Sequence, residues 1–265
     1  MRLSLNSWQR PFRKGGLTTF GGRSLKRLMY RYGWATRCRI ETAAEKLRPL
    51  LAALAAKDEN ALLDVGCGER GVALLLPQYK VTGLDIVAPT KPLPNVRFIQ
   101  TSSTRLPFAD RSFLLVSSID MLEYLRVDAR AEALWEMVRV AEKALVVLCP
   151  CGEIARSCDE EFREKIRAKG IIEPDWLQQH LAQPHPAEAE LREIIIQAAS
   201  ADGRKVEIET EYCEPEGICR TVRGAAAVSK YIYVLVSLIV GLAYPFFARP
   251  DAQHGYRMII TARFI

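Results

Sequence analysis

The chain has 265 residues, nearly half of them apolar, which supplies a full buried core and excludes global disorder. Seven cysteines, at 38, 67, 149, 151, 158, 213 and 219, are irregularly spaced and odd in number, so no disulfide framework is suggested and a reducing compartment is expected. The net charge of +6 is unevenly placed: residues 1–40 carry ten Lys/Arg and no Asp/Glu, and the rest of the chain is net acidic.

Residues 1–40 therefore read as a basic arm, partly disordered over 1–22. It is either solvated or in contact with an anionic surface: phospholipid, nucleic acid or an acidic partner. An Arg-rich, acid-free start also resembles an organellar transit segment; the lack of a continuous apolar stretch argues against a secretory signal. Residues 24–33 suggest a short basic helix. Residues 40–56 read as a helix with Leu47, Leu50, Leu51 and Leu54 along one side, and Pro49 either kinks it or opens a second helix.

From residue 61 the pattern changes to short apolar strands. Candidates are 61–65, 80–85, 96–100, 113–119 and 144–149, with a helix-like LLLPQY after the first and a helix at 129–142. Strands alternating with helices predict a parallel sheet covered on both faces. Beyond Pro150 the regularity breaks. Residues 159–181 are charged and helix-like with an aromatic anchor at Trp176, 188–199 read as a helix, and 204–212 and 256–264 as strands.

Residues 64–71 read Asp64-Val65-Gly66-Cys67-Gly68-Glu69-Arg70-Gly71. Glycines after a strand let the backbone turn tightly and approach a ligand, and a following helix would offer free N–H groups. Asp85, closing the next strand, suits the two hydroxyls of a ribose. The three glycines alone match a dinucleotide fingerprint. Asp64 discriminates: a carboxylate at the turn would repel a pyrophosphate, yet could attract the ammonium of S-adenosylmethionine directly or through water.

With these residues in view, the chain resembles the class I S-adenosylmethionine-dependent methyltransferases, in their small-molecule "type 11" branch. The resemblance spans about residues 60–150 and the closing strands. It rests on LLDVGCGERG (62–71), on Asp85 in TGLDIVAP, on Leu106-Pro107-Phe108-Ala109-Asp110-Arg111-Ser112-Phe113, and on Ser118-Ile119-Asp120-Met121-Leu122-Glu123-Tyr124. It implies a Rossmann-like seven-stranded sheet with the last strand antiparallel between the fifth and sixth, and helices on both faces. It also implies S-adenosylmethionine as cofactor. Asp64, Gly66, Cys67 and Gly68 would line the methionine end, Asp85 would hold the ribose, Ile86 would pack on adenine, and Ser102, Ser103 and Ser118 would complete the site. The chain departs from the family pattern at Ser102, where an Asp is common, at Leu114, and at Tyr124, where a His is frequent.

Methyl transfer can proceed largely by orientation, and a general base is needed only if the acceptor must lose a proton. No base is evident in the sequence. His180, His185 and His254 read as surface or structural residues, and Asp120, Glu123 and Tyr124 are the candidate pocket wall. Cys149, Cys151 and Cys158 lack the paired spacing of a zinc site, so no metal is expected, and Cys149 reads as a core residue.

Residues 231–248 are uncharged and flanked by Lys230 and Arg249. They read as a lid helix, as a helix lying on a membrane, or as a span that would displace the last strand. The domain reading is an arm over 1–40 and one methyltransferase-like domain over 41–265, with insertions at 151–200 and 214–250. The expected activity is methyl transfer to a small or amphipathic acceptor, lipid- or glycan-like, in the cytoplasm or at a membrane surface. Two rivals stand beside it: a nicotinamide- or flavin-dependent oxidoreductase, and a non-catalytic, membrane-attached cofactor-binding protein. Nucleic acid is not expected, since no aromatic RNA-binding stripe is present.

Overall fold

The computed structural model describes residues 33–54, 61–69, 71–247 and 254–265. The expected disorder over 1–22 and the basic helix up to residue 32 lie outside the described residues.

Seven strands form one sheet: β1 (Leu62–Val65), β2 (Val81–Asp85), β3 (Val96–Gln100), β4 (Phe113–Ile119), β5 (Ala141–Pro150), β6 (Val206–Cys213) and β7 (Arg257–Phe264). Their order is β3-β2-β1-β4-β5-β7-β6. The first five run parallel, and β7 lies antiparallel to both β5 and β6. The antiparallel last strand stands between the fifth and sixth, as expected.

Side chains alternate between the two faces with the period of a strand. From β5, Leu145, Val147 and Cys149 enter one core with Val65, Leu134, Met137, Leu191 and Ile195. Ala144, Val146 and Leu148 enter the other, with Leu47, Leu51, Leu62 and Leu115. The first core is closed by α2 (Val127–Val140) and α5 (Glu188–Ala201), the second by α1 (Thr42–Ala53). Leu47 is fully buried, and truncating it to alanine would cost about 2–5 kcal/mol. Helix α1 runs through Pro49 and is preceded by a π-helical turn, Arg37–Glu41.

Two local expectations are corrected. No α-helix follows the glycine turn: a 3₁₀ turn, Val72–Leu75, takes only the first two residues of LLLPQY (74–79), because only five residues separate Gly71 from Pro77, which lacks an N–H. Asn95 braces it, its Nδ2 donating to the carbonyls of Ala73, Leu76 and Tyr79 at 3.4, 3.2 and 3.1 Å. The charged stretch 159–181 is two helices, α3 (Gly152–Arg167) and α4 (Asp175–Ala182), with Pro174 just before the second.

Helices α6 (Glu216–Val228) and α7 (Lys230–Phe247) precede the last strand. One face of α7, with Tyr233, Val236, Val240 and Tyr244, packs on Trp34, Cys38, Ile218 and Val222. Its other face leaves Tyr231, Leu235, Ile239 and Leu242 more than half exposed. Among the described residues no helix is long and apolar enough to cross a membrane.

Candidate active site

In a parallel sheet all carboxyl ends point to one edge, so β1, β2, β3 and β4 deliver Gly66, Asp85, Thr101 and Asp120 there together. Gly66 leaves β1 at φ +77°, and a Cβ on it would lie 2.4 Å from Met121 Cγ, so the turn abuts the exit of β4. Gly68, at φ +55°, faces open space, with nothing within 4 Å of a built Cβ. Its N–H donates to Asp85 Oδ2 at 2.9 Å, and Val87 N–H donates to Oδ1 at 3.0 Å. Burial pushes the Asp85 carboxyl above its usual range, and these two N–H groups partly offset it.

Asp64 is only 1% exposed. Its Oδ2 accepts from Val72 N–H at 2.9 Å and its Oδ1 from the Ser117 hydroxyl at 2.9 Å. Burial raises its pKa to about 6, against the pull of those two donors. The carboxylate thus pins the turn from inside. Cys67 packs over β2, where a Cβ on Gly83 would lie 2.9 Å from its Sγ. Ile86 is 44% exposed beside Asp85, while Ser103 is buried and Ser102 Oγ pairs with Thr104 Oγ1 at 2.9 Å. Ser118 is buried on β4 with no partner for its hydroxyl.

S-adenosylmethionine fits these residues. The open side of Gly68 is a cradle that a Cβ would narrow, and Asp85 and an exposed apolar Ile86 stand beside it, where a ribose and an adenine would meet them. A pyrophosphate fits less well. It is best held by free N–H groups at a helix N-terminus, but here the 3₁₀ turn is short and Val72 N–H is taken by Asp64.

The Leu106–Phe113 segment leads into the first residue of β4, at the sheet's opposite edge. Arg139 donates to the carbonyls of Leu106 and Phe108 at 3.1 and 2.8 Å and to Asp110 at 2.7 Å, and Glu136 accepts from Leu106 N–H. The segment fastens β4 to α2.

The three pocket-wall candidates follow β4, but their environments diverge. Asp120 turns the chain at φ +48°, a left-handed conformation that Asp tolerates. Arg257 donates to it at 2.8–3.2 Å, and Arg39 pairs with it at 2.5 Å. Burial pushes Asp120 up, but the two guanidinium groups outweigh that and hold it below the usual carboxylate range. Arg257 also pairs with Glu214, which accepts from Trp34 Nε1 at 2.8 Å. Glu123 is 1% exposed, and neither of its oxygens has a hydrogen-bond partner. Burial, then the nearby Asp120 charge, pushes its pKa well up. The Tyr124 ring meets His180 edge-on, with centroids 4.9 Å apart.

His180 and His185 are not surface residues; they are 5% and 6% exposed. His180 Nδ1 and His185 Nε2 both lie against Asp159 Oδ2, at 2.9 and 3.2 Å. Tyr256 Oη donates to Asp159 Oδ1 at 3.0 Å, and Arg223 pairs with the same oxygen. The ligand-capable atoms of Asp159, His180 and His185 lie within 4.8 Å of one another, the composition of a two-histidine, one-carboxylate metal site. Four protein donors already occupy Asp159, however, and the Arg223 cation would repel a metal ion there. Despite burial, Arg223 and the two histidines hold Asp159 well below the usual range.

Sequence reasoning missed Arg130, Asp159, Glu214, Arg223, Tyr256 and Arg257. Arg130 is fully buried and donates to the carbonyls of Leu122, Leu125 and Pro184 at 3.3, 3.4 and 2.9 Å and to Glu190 at 3.1 Å, fixing the loop that carries Glu123. Asp159 was hidden in the run Asp159-Glu160-Glu161, which reads as a solvated face. The available signal was period: Ala155, Asp159, Phe162 and Ile166 share one buried side of α3.

Residues 63–148 match the family of methyltransferase domains. Among solved structures, the [4+2]-cyclase SpnF is 15% identical, with 83% of this chain and 80% of that one covered at a TM-score of 0.50. A S-adenosylmethionine-dependent methyltransferase from Thermotoga maritima is 14% identical (92% and 96% covered, TM-score 0.49), and the YcgJ protein from Bacillus subtilis is 15% identical (84% and 96% covered, TM-score 0.45). No curated protein sequence matches the chain. Residues 63–148 are thus similar to a methyltransferase domain, and the strand order, with the likeness to SpnF, shows that the chain carries the class I S-adenosylmethionine-dependent methyltransferase fold.

Proposed function

We propose that the chain transfers the methyl group of S-adenosylmethionine to a small-molecule acceptor at the carboxyl edge of the sheet, with the cofactor held by the Gly66–Gly68 turn and Asp85. The observation that carries this is the open side of Gly68, beside Asp85 and within the same turn that abuts Met121. When bound, the cofactor supplies an electrophilic methyl on a sulfonium. The protein's part is to fix the sugar and turn the methyl toward the residues after β4, a contribution of orientation. The test is to incubate the protein with methyl-tritiated S-adenosylmethionine and a small-molecule extract. Transfer of label that is lost in Gly68→Ala supports the reading; no transfer by the folded, cofactor-bound protein counts against it.

A second reading concerns where the acceptor is met, and it is favoured by the bare face of α7. Tyr231, Leu235, Ile239 and Leu242 are 66%, 60%, 57% and 57% exposed. Trp34, which follows the basic stretch, packs against the other face of α7, its N–H donating to Ser237 Oγ at 3.1 Å. An exposed apolar face in a chain whose first 40 residues carry ten Lys/Arg and no Asp/Glu suits an anionic bilayer surface, where burial and charge act together. This supports peripheral attachment and a lipid-like or amphipathic acceptor. Sedimentation with vesicles containing phosphatidylserine should carry down the wild type and leave Leu235→Glu/Ile239→Glu in solution. Equal sedimentation of both would remove this reading.

A further inference from the structure

The carboxyl group of Glu123 and the Nε2 atom of His180 are both buried, both without a hydrogen-bond partner, and face each other at 3.8 Å. Buried polar groups are nearly always paired, so two orphans face to face need an explanation. The distance is too long for a hydrogen bond between them. Glu123 stands two residues past Met121, whose side chain lies against the turn at Gly66. The opposite nitrogen, Nδ1, is held by Asp159 at 2.9 Å. Asp159 is an acceptor, so Nδ1 carries the proton and Nε2 presents its lone pair toward Glu123.

Resting on the methyl-transfer reading above, we propose that the acceptor is a hydroxyl compound whose reacting oxygen lodges between Glu123 and His180, and that His180, oriented by Asp159, is the general base. A hydroxyl both donates and accepts, so one group satisfies both orphans: its O–H donates to Nε2, and its oxygen accepts from the protonated Glu123 carboxyl. In the reaction the acceptor O–H bond breaks and its proton passes to His180 Nε2. The oxygen forms a bond to the methyl carbon as the S–CH₃ bond breaks. That electron pair stays on sulfur, which leaves as a neutral thioether. The imidazolium so formed is stabilised by Asp159 at Nδ1. Arg223, on the far oxygen of Asp159, and Tyr256 Oη keep that carboxylate ionised and fixed.

The groups around the imidazole agree with a neutral resting base. Burial lowers the pKa of His180, with His185 and Arg223 acting in the same direction and Asp159 opposing them. Trp176 and Tyr124 pack on the ring edge-on, and Glu123 closes the remaining side. A metal ion at Asp159, His180 and His185 would instead claim Nδ1 and leave Nε2 without a base's role.

The test uses the full chain and carbon-13 methyl S-adenosylmethionine with the methyl-accepting extract. The chemical shift of the product separates O-methyl from N- and S-methyl groups, and O-methyl is expected. His180→Gln should lower kcat by roughly 10²–10⁴-fold while cofactor affinity stays near wild type. The wild-type rate should rise with pH through the His180 ionisation, and the variant should lose that limb. Glu123→Gln, the conservative partner, should raise KM more than it lowers kcat. Nitrogen-15 histidine spectra of the resting protein supply a readout independent of any acceptor, and should show His180 protonated at Nδ1 alone at neutral pH. An N- or S-methyl product, an unchanged pH profile in His180→Gln, a protonated Nε2, or one equivalent of bound metal would each overturn the proposal. Failure of cofactor binding, by contrast, would strike the methyl-transfer reading itself.

Discussion

Replacing Gly66 or Gly68 by alanine separates what the turn does for the fold from what it does for the ligand. Both glycines have positive φ, +77° and +55°, so an L residue at either costs about 1–2 kcal/mol of backbone strain. At Gly66 the new methyl would also lie 2.4 and 2.7 Å from Met121 Cγ and Cβ. Overpacking of that kind adds about 1–3 kcal/mol, because the side chain must leave its rotamer or the β4 exit must shift. At Gly68 nothing lies within 4 Å, so strain is the whole cost. Gly66→Ala should therefore lose about 2–5 kcal/mol, and in a chain this size each kcal/mol lowers the melting temperature by about 2–4 °C. Gly68→Ala should melt only a few degrees below wild type, yet bind S-adenosylmethionine at least tenfold more weakly, since its methyl narrows the cradle. Thermal unfolding and calorimetric titration read the two quantities separately. Equal melting of the variants would refute the packing of Gly66 on Met121, and intact binding in Gly68→Ala would refute the cradle.

Further outcomes follow from the charged groups. Asp64 has a folded pKa of about 6, above its ordinary 3.8. The folded state therefore holds this proton longer than the unfolded chain does. Its contribution to stability is most favourable below about pH 4 and falls as pH rises through 6, by about 3 kcal/mol at most. Asp64→Asn keeps an oxygen for Val72 N–H and lets Ser117 accept instead of donate. Its urea midpoint should thus fall less than that of the wild type between those two pH values; parallel curves would contradict the buried environment. Arg130→Ala should cost about 3–5 kcal/mol by removing the cation paired with Glu190 and the donor shared by the carbonyls of Leu122, Leu125 and Pro184, measured by denaturant unfolding. A loss below 1 kcal/mol would show that Arg130 does not hold the Glu123 loop.

The sheet was legible because its strands are short apolar runs and sheet burial has a simple period. LLDV, VTGLD and FLLVSSI announce themselves, and Asp64, Gly66 and Asp85 fall at strand ends where function collects. The 3₁₀ turn after Gly71 was misread because LLLPQY has helical composition, and only the nearness of Pro77 to the glycines forbids a helix. The base was not legible for another reason. Asp159, His180 and Arg223 belong to three separate helices and Tyr256 to the loop before β7, and no spacing along the chain connects them. A histidine flanked by Gln and Leu carries no mark of burial; the acid that orients it lies 21 residues away in a run of like charges. The Leu106–Phe113 motif was read as part of the family signature, and its fastening of β4 to α2 emerged only with Arg139 and Glu136 in place.

The most direct test of the central claim is calorimetric titration of S-adenosylmethionine and of NAD into the wild type and Asp85→Ala. The account predicts that S-adenosylmethionine binds at one site per chain, that NAD does not bind, and that the substitution weakens binding by about 1.5–3 kcal/mol through lost charge-assisted bonds to the ribose. Binding of S-adenosylmethionine that is indifferent to Asp85, or preference for NAD, would contradict it.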